Sequence, residues 1–147
     1  MSSRFNERGA RVSPDGRWVS YTSNEYGADE VYVRPFPSLE GRTQVSTGGG
    51  SEAVWSPKGN EIFYRGGGAI MAVGIAAAGS LTAAPPHKLF DDRYYSKAAT
   101  HISYDVSRDG RFLMAKAVPN DQGGNSGPSF VVVLNWLEEL KTRMASK

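Results

Sequence analysis

The side chains able to do chemistry in this chain are few, and their spacing is poor for catalysis. His87 and His101 are the only imidazole bases, and cysteine is absent, so no thiolate nucleophile, disulfide or thiolate metal site can form. Neither Ser51 nor Ser126 lies in a Gly-x-Ser-x-Gly elbow, and two histidines offer a serine nucleophile few possible bases. Gly48-Gly49-Gly50-Ser51-Glu52 and Gly66-Gly67-Gly68 could approach a phosphate, but no Gly-Lys-Ser/Thr follows and neither run opens a helical pattern. Both read as turns between strands. Asp91-Asp92, Asp105 and Asp121 lack the dense oxygen spacing of a calcium loop and read as solvated acids. His87 opens an extended run and His101 precedes one. These residues imply no cofactor and no metal, and they point to a binding surface.

The elements that position them come from a repeat. Ser13-Pro14-Asp15-Gly16-Arg17-Trp18-Val19-Ser20-Tyr21 recurs as Ser56-Pro57-Lys58-Gly59-Asn60-Glu61-Ile62-Phe63-Tyr64, and again as Ser107-Arg108-Asp109-Gly110-Arg111-Phe112-Leu113-Met114-Ala115. The turn glycines are 43 and then 51 residues apart, a period proper to propeller blades. The eight extra residues match the Ala-rich stretch 76–84. Ser-Pro-Asp-Gly combines a side-chain acceptor, a fixed φ and a glycine free to turn left-handed, which closes a tight turn. Ala10 and Val12, Ala53 and Trp55, and Tyr104 and Val106 alternate ahead of each turn at the same offsets, and strand-like residues follow it. Each repeat therefore opens with an antiparallel hairpin.

Further strands follow each hairpin. In the first unit they are 30–34 and 42–47, and in the second 69–75 and 87–90. The third unit offers strands at 102–106, 112–117 and 130–134 but no fourth. Asn135 to Met144 reads instead as a short helix, with Asn135 as cap, Leu137, Leu140 and Met144 on one face, and Glu139 paired to Arg143. A stray extended segment, Arg4, Phe5, Asn6 and Glu7, precedes the first hairpin. The missing strand at one end matches the extra strand at the other.

The expected fold is all-β. It is one partial β-propeller domain over residues 1–147, with blade 1 about 10–50, blade 2 about 51–98, and blade 3 about 99–134 plus a strand at 3–8. The short helix at about 135–144 closes the chain. Hydrophobic residues at 39% suffice for a core, and 17 glycines and 8 prolines suit many short strands and turns. Three blades cannot close on themselves and would leave faces and edges exposed. A homodimer forming a six-bladed ring, each N-terminal strand completing the partner's third blade, satisfies both ends. The alternative is a fragment excised from a larger propeller, with no independent role.

Net charge is +2 with the basic residues scattered, and no DNA-reading pattern appears, so nucleic acid is not an expected partner. Residues 1–5 contain no apolar signal region and no stretch approaches a membrane span. The chain reads as soluble, and as periplasmic or extracellular if it derives from an exported propeller.

The repeated Ser-Pro-Asp-Gly and its following strand resemble the TolB-type β-propeller repeat, a relative of the WD-type blade. Ser23-Asn24-Glu25, Glu30-Val31-Tyr32-Val33-Arg34-Pro35-Phe36-Pro37, Gly48-Gly49-Gly50, Tyr104-Asp105-Val106-Ser107 and Val132-Val133-Leu134-Asn135-Trp136-Leu137-Glu138-Glu139-Leu140 extend the likeness. They resemble the C-terminal end of propellers attached to some bacterial serine/threonine kinases. Lys58 and Arg108 depart from the turn pattern, but every turn glycine is kept. The resemblance implies a propeller with a recognition role. It implies no kinase activity, since His-Arg-Asp, Asp-Phe-Gly and a nucleotide loop are all missing. The expected function is non-enzymatic recognition of a protein, peptide or small ligand, the alternative being a hydrolase or lyase in the central channel. The ring end opposite the tight turns carries the longer polar loops, which nominates Asn24, Tyr26, Glu52, Arg65, His101 and Asp121 as the ligand face.

Overall fold

The computed structural model describes residues 5–78, 80–93 and 101–115. Arg4, Asp121, the expected strand at 130–134 and the expected helix at 135–144 lie outside them. The described residues are all-β and include no helix, and so none long and apolar enough to cross a membrane. Strands β1 (Glu7–Val12), β2 (Trp18–Tyr26), β3 (Ala28–Pro35) and β4 (Thr43–Gln44) form an antiparallel sheet in chain order.

In the second sheet β5 (Ser51–Trp55), β6 (Glu61–Gly66) and β7 (Ala69–Ala78) are also consecutive antiparallel neighbours. β7 is long enough to serve two partners on its free edge. Its first half pairs with β9 (His87–Asp91), while its second half turns back on β8 (Ser80–Ala83). The Ala-rich stretch is thus a hairpin extension, and it folds Leu81 into the core between the first two sheets. β10 (Tyr104–Val106) and β11 (Phe112–Met114) form a third hairpin.

Serine builds the three repeated turns. Ser13 N donates to Trp18 O and Ser56 N to Glu61 O, each at 2.8 Å, and the turn glycines at φ 73° and 72° return N–H bonds to the serine carbonyls. Each serine hydroxyl also accepts the amide that starts the next strand, from Trp18, Glu61 and Arg111 at 3.0, 3.2 and 3.0 Å. Asp15 and Asp109 take the serine hydroxyls and the following arginines, Arg17 and Arg111. Where Lys58 replaces the aspartate, Asn60 Oδ1 accepts from Ser56 Oγ at 3.1 Å instead.

The third turn is one residue tighter, because Ser107 N bonds to Arg111 O rather than to the residue after it. A one-residue change of register turns a strand over. Trp18 and Phe112 occupy the same place in the repeated phrase but face opposite ways. Trp18 faces the following sheet, whereas Phe112 faces the preceding one.

The second sheet is buried on both faces. Toward the first sheet it presents Ala53, Trp55, Ile62, Tyr64, Val73 and Ile75, which pack on Val31, Val33, Val45 and part of Trp18. Toward the third hairpin it presents Val54, Phe63, Ile70 and Ala72, against Tyr104, Val106, Phe112 and Met114. Phe63 meets Phe112 edge to face at 5.0 Å between ring centres. Successive antiparallel sheets stacked face to face fit a partial β-propeller.

The turn aspartates make acid stability testable. Hydrogen bonds from Ser13 and then Arg17 hold Asp15 at about 2, below its ordinary 3.8, and bonds from Ser107 and then Arg111 do the same for Asp109. A depressed folded value means that their contribution is complete above the ordinary value and is lost as pH falls through about 2. Urea midpoints across that window should fall steeply in the wild type. Asp15→Asn with Asp109→Asn should lower the neutral-pH midpoint and flatten the acid limb.

Candidate functional site

Strand direction places the turns at Gly27 and Gly66–Gly68, the 47–50 connection and residues 92 and 101–103 at one end of the sheets. Its most developed feature is a buried polar network. β5 carries a bulge between Ser51 and Val54, and Glu52 within it has φ 54°, a left-handed conformation that disfavours side chains. Counting back seven residues from each turn glycine, the first unit has Gly9 at this place, also left-handed at φ 65°. The strand break recurs, but in the second unit a carboxylate occupies it.

The consequence is reach. Glu52 Oε2 accepts from Ser103 N and Ser103 Oγ, both at 2.7 Å, so the second sheet grips the chain entering the third hairpin. Arg65, opposite Ser51 on β6, brings Nε to 3.2 Å from the same oxygen. Its Nη1 pairs with Asp92, and its Nη2 donates to Ser103 Oγ at 3.1 Å. The guanidinium also lies 5.5 Å from the centre of the Tyr104 ring. Burial pushes the Tyr104 phenol well above its ordinary value, against the opposing pull of Arg65.

Glu52 and Arg65 are 5% and 6% exposed. Both therefore lie inside a network and not on an open loop surface, and Asp92, paired with Arg65, is not a freely solvated acid. A bulge turns Glu52 inward, and the strand register sets Arg65 between it and Asp92. Ser103 touches a carboxylate as a nucleophile touches a base, but its proton goes to Glu52 while its oxygen accepts from Arg65. Both halves of the hydroxyl are therefore committed to joining the sheets.

Of the other nominated residues, Asn24 and Tyr26 belong to the first sheet. Asn24 Oδ1 accepts from Asn6 N at 2.9 Å and so anchors the incoming chain on the first sheet. Tyr26 is 70% exposed, and its hydroxyl accepts from Arg42, which also pairs with Glu25 and lies 5.1 Å from the Tyr26 and Tyr32 ring centres. His101 is exposed. Phe5 is 43% exposed, whereas Glu7 belongs to β1, opposite Ser23 of its own sheet. Sequence reasoning missed Asp92, Ser103 and Arg42. Ser103 could have been found from the repeat, since it holds the same offset from its glycine as Glu52 and Gly9.

No cluster of three or more histidine, aspartate or glutamate side chains suited to a metal occurs among the described residues. No family model matches the sequence, and no curated protein matches it. Among solved structures, the chain is similar to the crystal structure of TolB from Acinetobacter baumannii, with 14% identity and a TM-score of 0.42. The similarity covers 83% of this chain and 40% of that one. The architecture described above rests on the strand pairings themselves.

Arg65→Met should remove the buried guanidinium that Glu52 and Asp92 share and cost about 3–5 kcal/mol in urea unfolding. Amide exchange should show the loss first in β10 and β11, which the network fastens to the second sheet.

Proposed function

We propose that this chain is a non-enzymatic β-propeller scaffold that recognises a protein, peptide or small ligand, and that two copies assemble into a six-bladed ring. The observation that supports it is the use made of the polar groups at the loop end. Glu52, Arg65, Asp92 and Ser103 hold sheet to hairpin, Arg8 pairs with Asp29, and Arg42 pairs with Glu25. A rigid frame of this kind leaves Tyr26 and His101 projecting to solvent, which suits binding on a preformed surface. The TolB-type and WD-type repeat resemblance, including the likeness to kinase-attached propellers, supports the same reading.

Assembly and activity test it separately. Light scattering after gel filtration should give about twice the 15.9 kDa chain mass over a hundredfold concentration range. Removing Met1 to Asn6, the segment ahead of β1, should weaken that species while leaving the far-ultraviolet strand signal unchanged. Chromogenic esters and glycosides should not turn over. Turnover abolished by His101→Ala would overturn the scaffold reading in favour of a hydrolase.

A further inference from the structure

Among the described residues, the outer face of the first sheet has no second sheet against it. Register places Val12, Val19, Tyr21, Tyr32 and Arg34 together on it, facing away from the second sheet. Val12 and Val19 stand where Trp55 and Ile62 stand in the second unit, and those two are 7% and 0% exposed against a neighbouring sheet. Val12 is 48% exposed. By its repeat position this is a packing face, yet among the described residues no other sheet packs on it, and Tyr21 and Tyr32, 7% and 2% exposed, are covered by arginine side chains instead.

Its chemistry indicates the occupant. Tyr21 and Tyr32 lie ring against ring at 5.8 Å, and Arg34 and Arg42 cover them at 5.2 and 5.1 Å from the ring centres. Both tyrosine hydroxyls and Arg34 Nε are buried without a hydrogen-bond partner, and Arg34 forms no ion pair among the described residues. At the far end of the stack, the third hairpin pairs Asp105 with Leu113 on its own outward face. Leu113 is 50% exposed, and among the described residues the Asp105 carboxylate accepts from its neighbour Val106 N at 2.8 Å and forms no ion pair. Asp105 and Leu113 hold the places that Val54 and Phe63 hold in the second sheet, whose Phe63 meets Phe112 of the next unit. Phe112, opposite Val106, corresponds in turn to Val19, opposite Val12.

We infer that the outer face of the first sheet seats the third hairpin of a second copy, with Leu113 on Val19 and the Asp105 carboxylate on the Arg34 guanidinium. A two-fold axis makes this junction twice, so both free faces are covered at once. The inference rests on the dimer proposed above and specifies which surfaces meet.

Charge reversal tests it. Arg34→Glu alone opposes two carboxylates at each junction, and Asp105→Arg alone opposes two guanidiniums. Each should raise the dimer dissociation constant roughly tenfold or more, with strand content unchanged by circular dichroism. Mixing the two variants pairs Glu with Arg at one junction and Arg with Asp at the other, so a heterodimer of near wild-type affinity is expected. A wild-type dimer insensitive to both reversals would overturn this junction while leaving the dimer standing. Variants that weaken the dimer but fail to recover on mixing would overturn the Arg34–Asp105 pairing. A wild type that is monomeric at every concentration would overturn the junction and the dimer together.

Discussion

The second sheet has no face that water can wet, and the rest of the structure follows from that. Ile62, Phe63, Tyr64 and Arg65 are buried in sequence along β6, two pointing each way. Such a strand is stable only between two layers, since either face left bare would expose several fully apolar side chains at about 1.5–3 kcal/mol each. The first sheet and the third hairpin are those layers. Neither has to be strong alone, because each is held by the second sheet it covers.

Stacking sheets requires that each strand present the correct side, and the turns decide which side that is. Three near-identical phrases yield two registers here. Ser13 and Ser56 enclose one residue more than Ser107 does, and the face shown by the following aromatic inverts. The inversion serves the packing. Phe112 reaches back to Phe63, Phe90 and Tyr104, where the hairpin needs its apolar mass, and Leu113 is left on the outside.

Much of this was legible from the residues. The hairpins, the glycine turns and the alternation of β2, β3 and β5 follow from period-two patterning and turn chemistry, whereas the Ala-rich stretch 76–84 reads as a connection and instead folds back as a paired hairpin. The flip of Phe112 was not legible, because the phrase around Asp109 is almost the same as that around Asp15 and the difference lies in a single hydrogen bond. The candidate site was only partly legible. Tyr26 and His101 are exposed while Glu52 and Arg65 are buried, a difference that residue type and nearness to a loop do not reveal. No pattern in β5 announces a left-handed glutamate; comparison with Gly9 locates the bulge but not the direction of the side chain.

Polar groups at the sheet junctions differ in a graded way, and the gradation bears on how a stack of similar layers keeps its order. The junction of the first two sheets is mainly apolar and has no ion pair among the described residues; an indole bond from Trp55 Nε1 to Arg11 O crosses it. The next adds a buried ionic cluster held by a strained residue. Buried ion pairs contribute little net stability against a well-packed apolar alternative, but they penalise a wrong neighbour heavily, because a mismatched layer strands the charges. Glu52 can meet its ligands only if Ser103 and Arg65 stand where they do, so the third hairpin cannot dock elsewhere at the same cost. The outer face of the first sheet continues the progression. Its guanidiniums shield two tyrosines from water, and they make an indiscriminate apolar contact unfavourable while leaving a carboxylate-bearing surface acceptable.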